Sequence, residues 1–182
     1  MNVAKPRKLS TKEILKENIS QPAPLKMREL IVWIHNIRSL HNVGSVFRSS
    51  DAFGVKKILI SGYSPTPPRP EITKTAIGAE EFVDWQYFDS TPEVLEYLSE
   101  QDYTLIGLEQ TDSSVSLPVF NANKYERICL LMGNEVTGID DELLSYVAEC
   151  VNIPQFGHKH SLNISVATGV ALYGLLQKFY SA

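Results

Sequence analysis

Leu30-Ile31-Val32-Trp33-Ile34-His35, then Asn36-Ile37-Arg38-Ser39-Leu40-His41-Asn42, then Val43-Gly44-Ser45-Val46-Phe47-Arg48-Ser49-Ser50-Asp51-Ala52-Phe53-Gly54, is the stretch that decides the fold. Four apolar residues follow one another from Ile31 to Ile34, which suits a strand buried on both faces. Val43, Val46, Phe47, Ser50 and Phe53 then recur at helical spacing, with Asn42 placed as N-cap and Gly54 as the stop. A doubly buried strand that feeds a helix belongs to a parallel sheet with helices on both sides.

The rest of the chain repeats this alternation. Strands are expected over 57–61, 84–88, 103–109, 127–132 and 149–153, the last stopped by Pro154. Residues 63–70 carry four prolines and read as a loop, with one or two helical turns over 71–76. Ser90 and Glu93 form a capping-box pattern, with Pro92 in the first turn of a helix ending near residue 100. Further helices are expected over 140–146 and 162–179. The fold class is therefore α/β, a mostly parallel sheet flanked by helices.

Upstream of Glu29 the composition changes. Residues 1–28 hold seven Lys/Arg and two acids, a net +5, which leaves −9 on the remainder of a chain of net charge −4. Ser10 and Glu13 make a capping box for a short helix over 11–18, and Gln21-Pro22-Ala23-Pro24 reads as a linker. The expected division is a basic N-terminal arm, 1–28, and one globular domain, 29–182. A basic arm on an acidic body suits contact with a polyanion, though a solvated terminus has the same composition.

With 182 residues, 43% of them hydrophobic, the chain is long enough for one sizeable core. No apolar run is long enough to span a bilayer, and the first thirty residues lack the apolar core of a signal peptide. The expectation is a cytoplasmic protein. Cys129 and Cys150 stand apart from any metal-binding spacing and read as buried thiols. His158 and His160 have no patterned carboxylate or thiolate beside them, so no metal is expected.

Three segments concentrate chemistry where strands meet loops, the place where open α/β sheets bind ligands. The first is 35–48, with two Asn, two His and two Arg. The second, Leu131-Met132-Gly133-Asn134-Glu135-Val136-Thr137-Gly138, follows a strong strand and has two glycines five apart, which permit a tight bend and a close approach. The third, 153–165, is a polar loop into the long helix, with Ser161 or Asn163 as its cap. None of the three is a Walker loop, a GxGxxG turn or a GxSxG elbow.

Taken together, the segments resemble the SpoU/TrmH family of RNA ribose 2′-O-methyltransferases, of the SPOUT superfamily. Asn42-Val43-Gly44 with Arg48, then Asp51-Ala52-Phe53-Gly54, is similar to its first motif. Gly133-Asn134-Glu135 with Gly138 is similar to its second. Ile153-Pro154, Gly157 and Ser161-Leu162-Asn163-Ile164-Ser165 are similar to its third. The match runs from about Glu29 to Tyr180.

The resemblance implies a SPOUT-like fold with a C-terminal trefoil knot, a homodimer with its sites near the subunit interface, and S-adenosylmethionine as methyl donor without a metal. It implies cofactor contacts from Gly133, Ile153 and Leu162, with Leu108 and Glu109 lining the pocket. It places Arg48, Asn42, Glu135, Ser161 and Asn163 at the reaction centre. Arg48 acts there as base or as orienting group. Arg38, His41, Lys159 and His160 near the site, and Lys5, Arg7 and Lys8 on the arm, are the expected RNA contacts. Structured tRNA or rRNA is the implied substrate, tRNA being favoured because no appended rRNA-type recognition domain is evident. The alternatives are a non-catalytic RNA-binding or assembly protein with this fold, and a doubly wound nucleotide-binding protein without methyl transfer.

Overall fold

The computed structural model describes residues 6–180. Two short helices, α1 (Thr11–Ser20) and α2 (Leu25–Glu29), precede an α/β body. The body runs β1 (Ile31–His35), α3 (Leu40–Phe53), β2 (Lys57–Ser61), α4 (Pro70–Ala76), β3 (Asp84–Phe88), α5 (Thr91–Glu100) and β4 (Thr104–Leu108). It continues with β5 (Val115–Ser116), β6 (Ile128–Met132), α6 (Asp141–Leu144), β7 (Glu149–Asn152) and α7 (Ile164–Tyr180).

The strands form one sheet in the order β3-β2-β1-β6-β4-β7-β5, and every pairing is parallel. Side-chain alternation splits the core between its faces. Val32, Ile34, Ile58, Ile60, Leu130 and Met132 pack with Val43, Phe47, Ile72 and Leu172 from α3, α4 and α7. Ile31, Trp33, Leu59, Cys129 and Leu131 pack with Val94, Leu98 and Leu143 from α5 and α6. Because β1 lies centrally and is covered on both sides, all four residues Ile31–Ile34 are fully buried. That is the physical reason for the unbroken apolar run.

The expected elements are present, with informative shifts at their ends. Helix α3 starts at Leu40, one turn of helix before Val43. Ser39, not Asn42, is its N-cap, and its hydroxyl accepts the Asn42 N–H at 3.3 Å. Gly54 ends α3 as expected, at φ 69° in the left-handed region. The Ser10–Glu13 capping box is formed. The one at Ser90 is not: the Ser90 hydroxyl donates to the Glu93 carboxylate at 2.8 Å instead of accepting from the backbone.

Helix α6 is a single turn, and α7 begins at Ile164, where Asn163 Oδ1 accepts the Ser165 N–H at 2.9 Å. The two-residue strand β5 has too little pattern to be read from sequence. Cys129 is buried as expected, but Cys150 only partly.

Packing begins before Glu29. Met27 is fully buried, and the Lys26 ammonium donates to the Asn123 and Tyr125 carbonyls at 3.3 and 2.9 Å. Helix α1, by contrast, buries no residue. Among the described residues no helix is long and apolar enough to cross a membrane.

Candidate functional site

The sheet's parallel order carries the ends of β1, β6, β4 and β7 to one edge, so the three polar segments meet there. The loop after β6 is shaped by its own sequence. Asn134 and Gly138 exchange backbone hydrogen bonds at 2.9 and 3.0 Å, and Asn134 Oδ1 accepts the N–H groups of Val136 and Thr137. Gly138 sits at φ 74°, open to glycine at little cost. Gly133 lies so close to the Gly138 backbone that a Cβ there would collide with it. The first glycine thus serves close approach and the second serves the bend.

Glu135 is the hub of the site. Its carboxylate accepts the Arg38 N–H at 3.0 Å, the Ser39 N–H at 3.1 Å and the Asn42 side-chain amide at 3.0 Å. Asn42 Oδ1 in turn accepts from the Asn163 amide at 3.2 Å. Three motifs, with Asn42 and Asn163 separated by 121 residues, are tied into one chain of hydrogen bonds. Burial works to raise the Glu135 carboxyl, but the Arg38 N–H, the Asn42 amide and the Ser39 N–H outweigh it, and its pKa lies below the ordinary value. Asn42 is free for this role because Ser39 caps the helix.

Beside the hub is a cavity of about 430 Å³. Leu108, Glu109, Gly133, Ile153 and Leu162, the five residues expected at a cofactor, all line it. So do Glu135 and Ser161, together with Gln110, Asn134, Gln155 and His160. The Gln110 amide donates to the His160 carbonyl at 2.8 Å and ties the third segment to the end of β4. The lining has two carboxylates and no Lys or Arg. A space of this size, with apolar walls and acceptors but no fixed cation, fits a sulfonium-bearing nucleoside of the S-adenosylmethionine type.

Under the site, the His35 ring lies 2.7 Å from Ser61 Oγ and 3.1 Å from Asp140 Oδ2. Burial lowers its pKa even though Asp140 pulls the other way, and the two contacts make the ring a strut under the site.

Arg48 is not part of the network. It is exposed on the α3 stripe that holds His41, Ser45 and Ala52. Six residues of helix put it about 9 Å beyond Asn42 along the axis. Arg38, His41, Lys159 and His160 are exposed around the site. On the arm, Arg7 is paired with Glu13 at 2.7 Å, Lys8 is exposed, and Lys5 lies outside the described residues. Asn134 was missed as a site residue, although its place between Gly133 and Glu135 was the available signal.

The family model described as SpoU rRNA Methylase matches residues 29–173. The chain belongs to the SpoU family. Among curated relatives, the tRNA (guanosine(18)-2′-O)-methyltransferase of Saccharomyces cerevisiae is 32% identical over 147 residues, covering 80% of this chain and 10% of that protein. The protein of the same name in Escherichia coli K12 is 29% identical over 146 residues, covering 80% of this chain and 62% of that one. This chain therefore spans less than two thirds of these SpoU relatives. A solved structure described as an AdoMet-bound rRNA methyltransferase from Sinorhizobium meliloti superposes with a TM-score of 0.77 at 25% identity, covering 86% of this chain and 61% of that one.

Proposed function

We propose that this SpoU-family protein transfers the methyl group of S-adenosylmethionine to a ribose 2′-hydroxyl of structured tRNA or rRNA. The observation that carries the reading is the Asn163–Asn42–Glu135 chain at the rim of a cavity whose described lining has two carboxylates and no Lys or Arg. The named relatives, which act on tRNA or are described as rRNA methyltransferases, support it.

In this reading Gly133, Ile153, Leu162 and Leu108 enclose the cofactor through backbone and apolar contacts, with Glu109 at the wall. S-adenosylmethionine supplies an already activated methyl group, so the chemistry needs no metal. The protein's task is to place the 2′-hydroxyl in line with the methyl carbon, so that the oxygen–carbon bond forms as the carbon–sulfur bond breaks, S-adenosylhomocysteine departs and the hydroxyl proton passes to water. Glu135 fixes the β1–α3 loop, and the Asn42 and Asn163 amides orient the ribose. Ser161, exposed at the cavity edge, accepts from or donates to either ligand. Arg48, a planar donor with two prongs, grips ribose and phosphate bidentately.

A homodimer completes the proposal. Helix α7 is apolar nearly all round, yet Val166, Val170 and Tyr173 remain exposed, Tyr173 against Phe53 of α3, a stripe that needs cover. A partner there would lie alongside the helix that bears Arg48. The trefoil knot, the RNA-binding role of the 1–28 arm and a cytoplasmic location belong to the same proposal.

Two measurements test it. Mass-spectrometric mapping of ribose methylation in RNA from cells with and without the protein identifies the modified nucleotide. Arg48→Ala leaves the fold and S-adenosylmethionine affinity intact and lowers methyl transfer at least a hundredfold. Near wild-type turnover by that variant on the mapped RNA sinks the assignment.

A further inference from the structure

A second groove of about 470 Å³ opens at the carboxyl ends of β1, β2 and β3. Arg38, Tyr63, Ser64, Thr66, Arg69 and Tyr87 line it. Its chemistry is the inverse of the first cavity's: two guanidinium groups and no carboxylate in the lining. Neither Arg38 nor Arg69 is ion-paired among the described residues. Both are exposed.

The aromatic rings are held by their hydroxyl ends. Tyr63 Oη accepts from the Asn134 amide at 2.8 Å, and its backbone N–H donates to Asn36 Oδ1 at 3.3 Å. Tyr87 Oη donates to the Gly62 carbonyl at 3.0 Å. Tyr63 is nonetheless 60% exposed and Tyr87 41%, so the surface they offer is mainly ring. Ser64 is buried, and its hydroxyl accepts the Ile37 N–H at 2.9 Å, locking the loop after β2 to the loop after β1. Pro65, Pro67 and Pro68 fix φ along the same loop. The groove is thus prearranged, which lowers the ordering cost of binding.

The groove is also joined to the first cavity. Asn134 lines that cavity and holds Tyr63, while Glu135 lines it and pins the Arg38 backbone. Cations beside a stacking surface are what single-stranded nucleic acid needs. We propose that this groove binds a nucleotide flanking the methylated one, with Arg38 and Arg69 on its phosphates and Tyr63 stacked on its base. The proposal rests on the RNA methyl-transfer reading above.

The test uses the full-length protein, tritiated S-adenosylmethionine and total RNA from cells lacking the gene. If the wild-type protein labels no RNA, both readings are overturned. If it does, Arg69→Glu and the double variant Arg38→Ala/Arg69→Ala should raise KM for RNA at least tenfold. kcat should stay within twofold at saturating RNA, and S-adenosylmethionine affinity should not change. The log–log salt dependence of RNA affinity should fall by about one to two in the double variant. Unchanged KM and salt slope overturn the groove's role while leaving methyl transfer standing. As an independent readout, RNA bearing 4-thiouridine beside the mapped position should photocrosslink to the peptide holding Tyr63 and Arg69. Crosslinking confined to other peptides overturns the assignment.

Discussion

Replacing Glu135 by alanine removes the acceptor for three donors at once: the Arg38 and Ser39 N–H groups and the Asn42 amide. Hydrogen bonds to a charged partner contribute about 1.5–3 kcal/mol each when well shielded. Glu135 is only partly buried and water can reach the orphaned donors, so about 1 kcal/mol apiece is the better scale, or about 3 kcal/mol in total. For a chain of 182 residues that corresponds to a melting temperature about 6–12 °C lower. Glu135→Gln keeps the two bonds made by Oε1 but turns an NH₂ group toward the Arg38 N–H, and should cost about 1–2 kcal/mol.

The pH dependence adds a second check. The folded state holds the Glu135 carboxyl below its ordinary pKa of 4.5, so its stabilisation is complete above that value and is lost as pH falls through the lower one. Alanine cannot titrate. The gap between wild type and Glu135→Ala therefore narrows as pH drops below 4.5. Urea unfolding followed by circular dichroism across that range measures both effects. A Glu135→Ala protein within about 0.5 kcal/mol of wild type at pH 7, or a gap that ignores pH, would refute the view of Glu135 as the hub.

Gly133→Ala should cut S-adenosylmethionine affinity at least tenfold by calorimetry, because the added Cβ collides with the Gly138 backbone and the cavity wall must move. Removing residues 1–20 should leave the melting curve unchanged, since α1 buries nothing, while weakening RNA binding and flattening its salt dependence. Extending that deletion through residue 28 removes the fully buried Met27 and should cost about 2–5 kcal/mol, read by chemical denaturation. Val170→Asp puts a charge on the exposed stripe of α7 and should convert a dimer to monomers in sedimentation experiments. A dimer of wild-type strength in that variant places the interface elsewhere.

Much of this molecule is written locally. An apolar run such as Ile31–Ile34 has one good solution, a strand covered on both faces, and the later runs repeat it. The glycines of the 133–138 loop declare a bend and a close approach because no other residue tolerates both positions. The three motifs and their order were enough to indicate the family. Helix ends were less legible: Ser39 and Asn42 both make good caps, and local pattern favoured the wrong one.

The sequence by itself therefore determined the parallel α/β architecture, the family and the set of polar residues at strand ends. It did so because period, turn chemistry and motif order are short-range properties. The tertiary structure alone decided which of those residues meet. Glu135 reaches Asn42 across 93 residues, and Asn163 reaches it across 121. Only the order of strands in the sheet sets those encounters. It also decided that the proline-rich loop after β2, which reads as a mere connection, brings Arg69 and Tyr63 beside Arg38. Side chains that act together need only be close in space, and no periodicity in a chain encodes that.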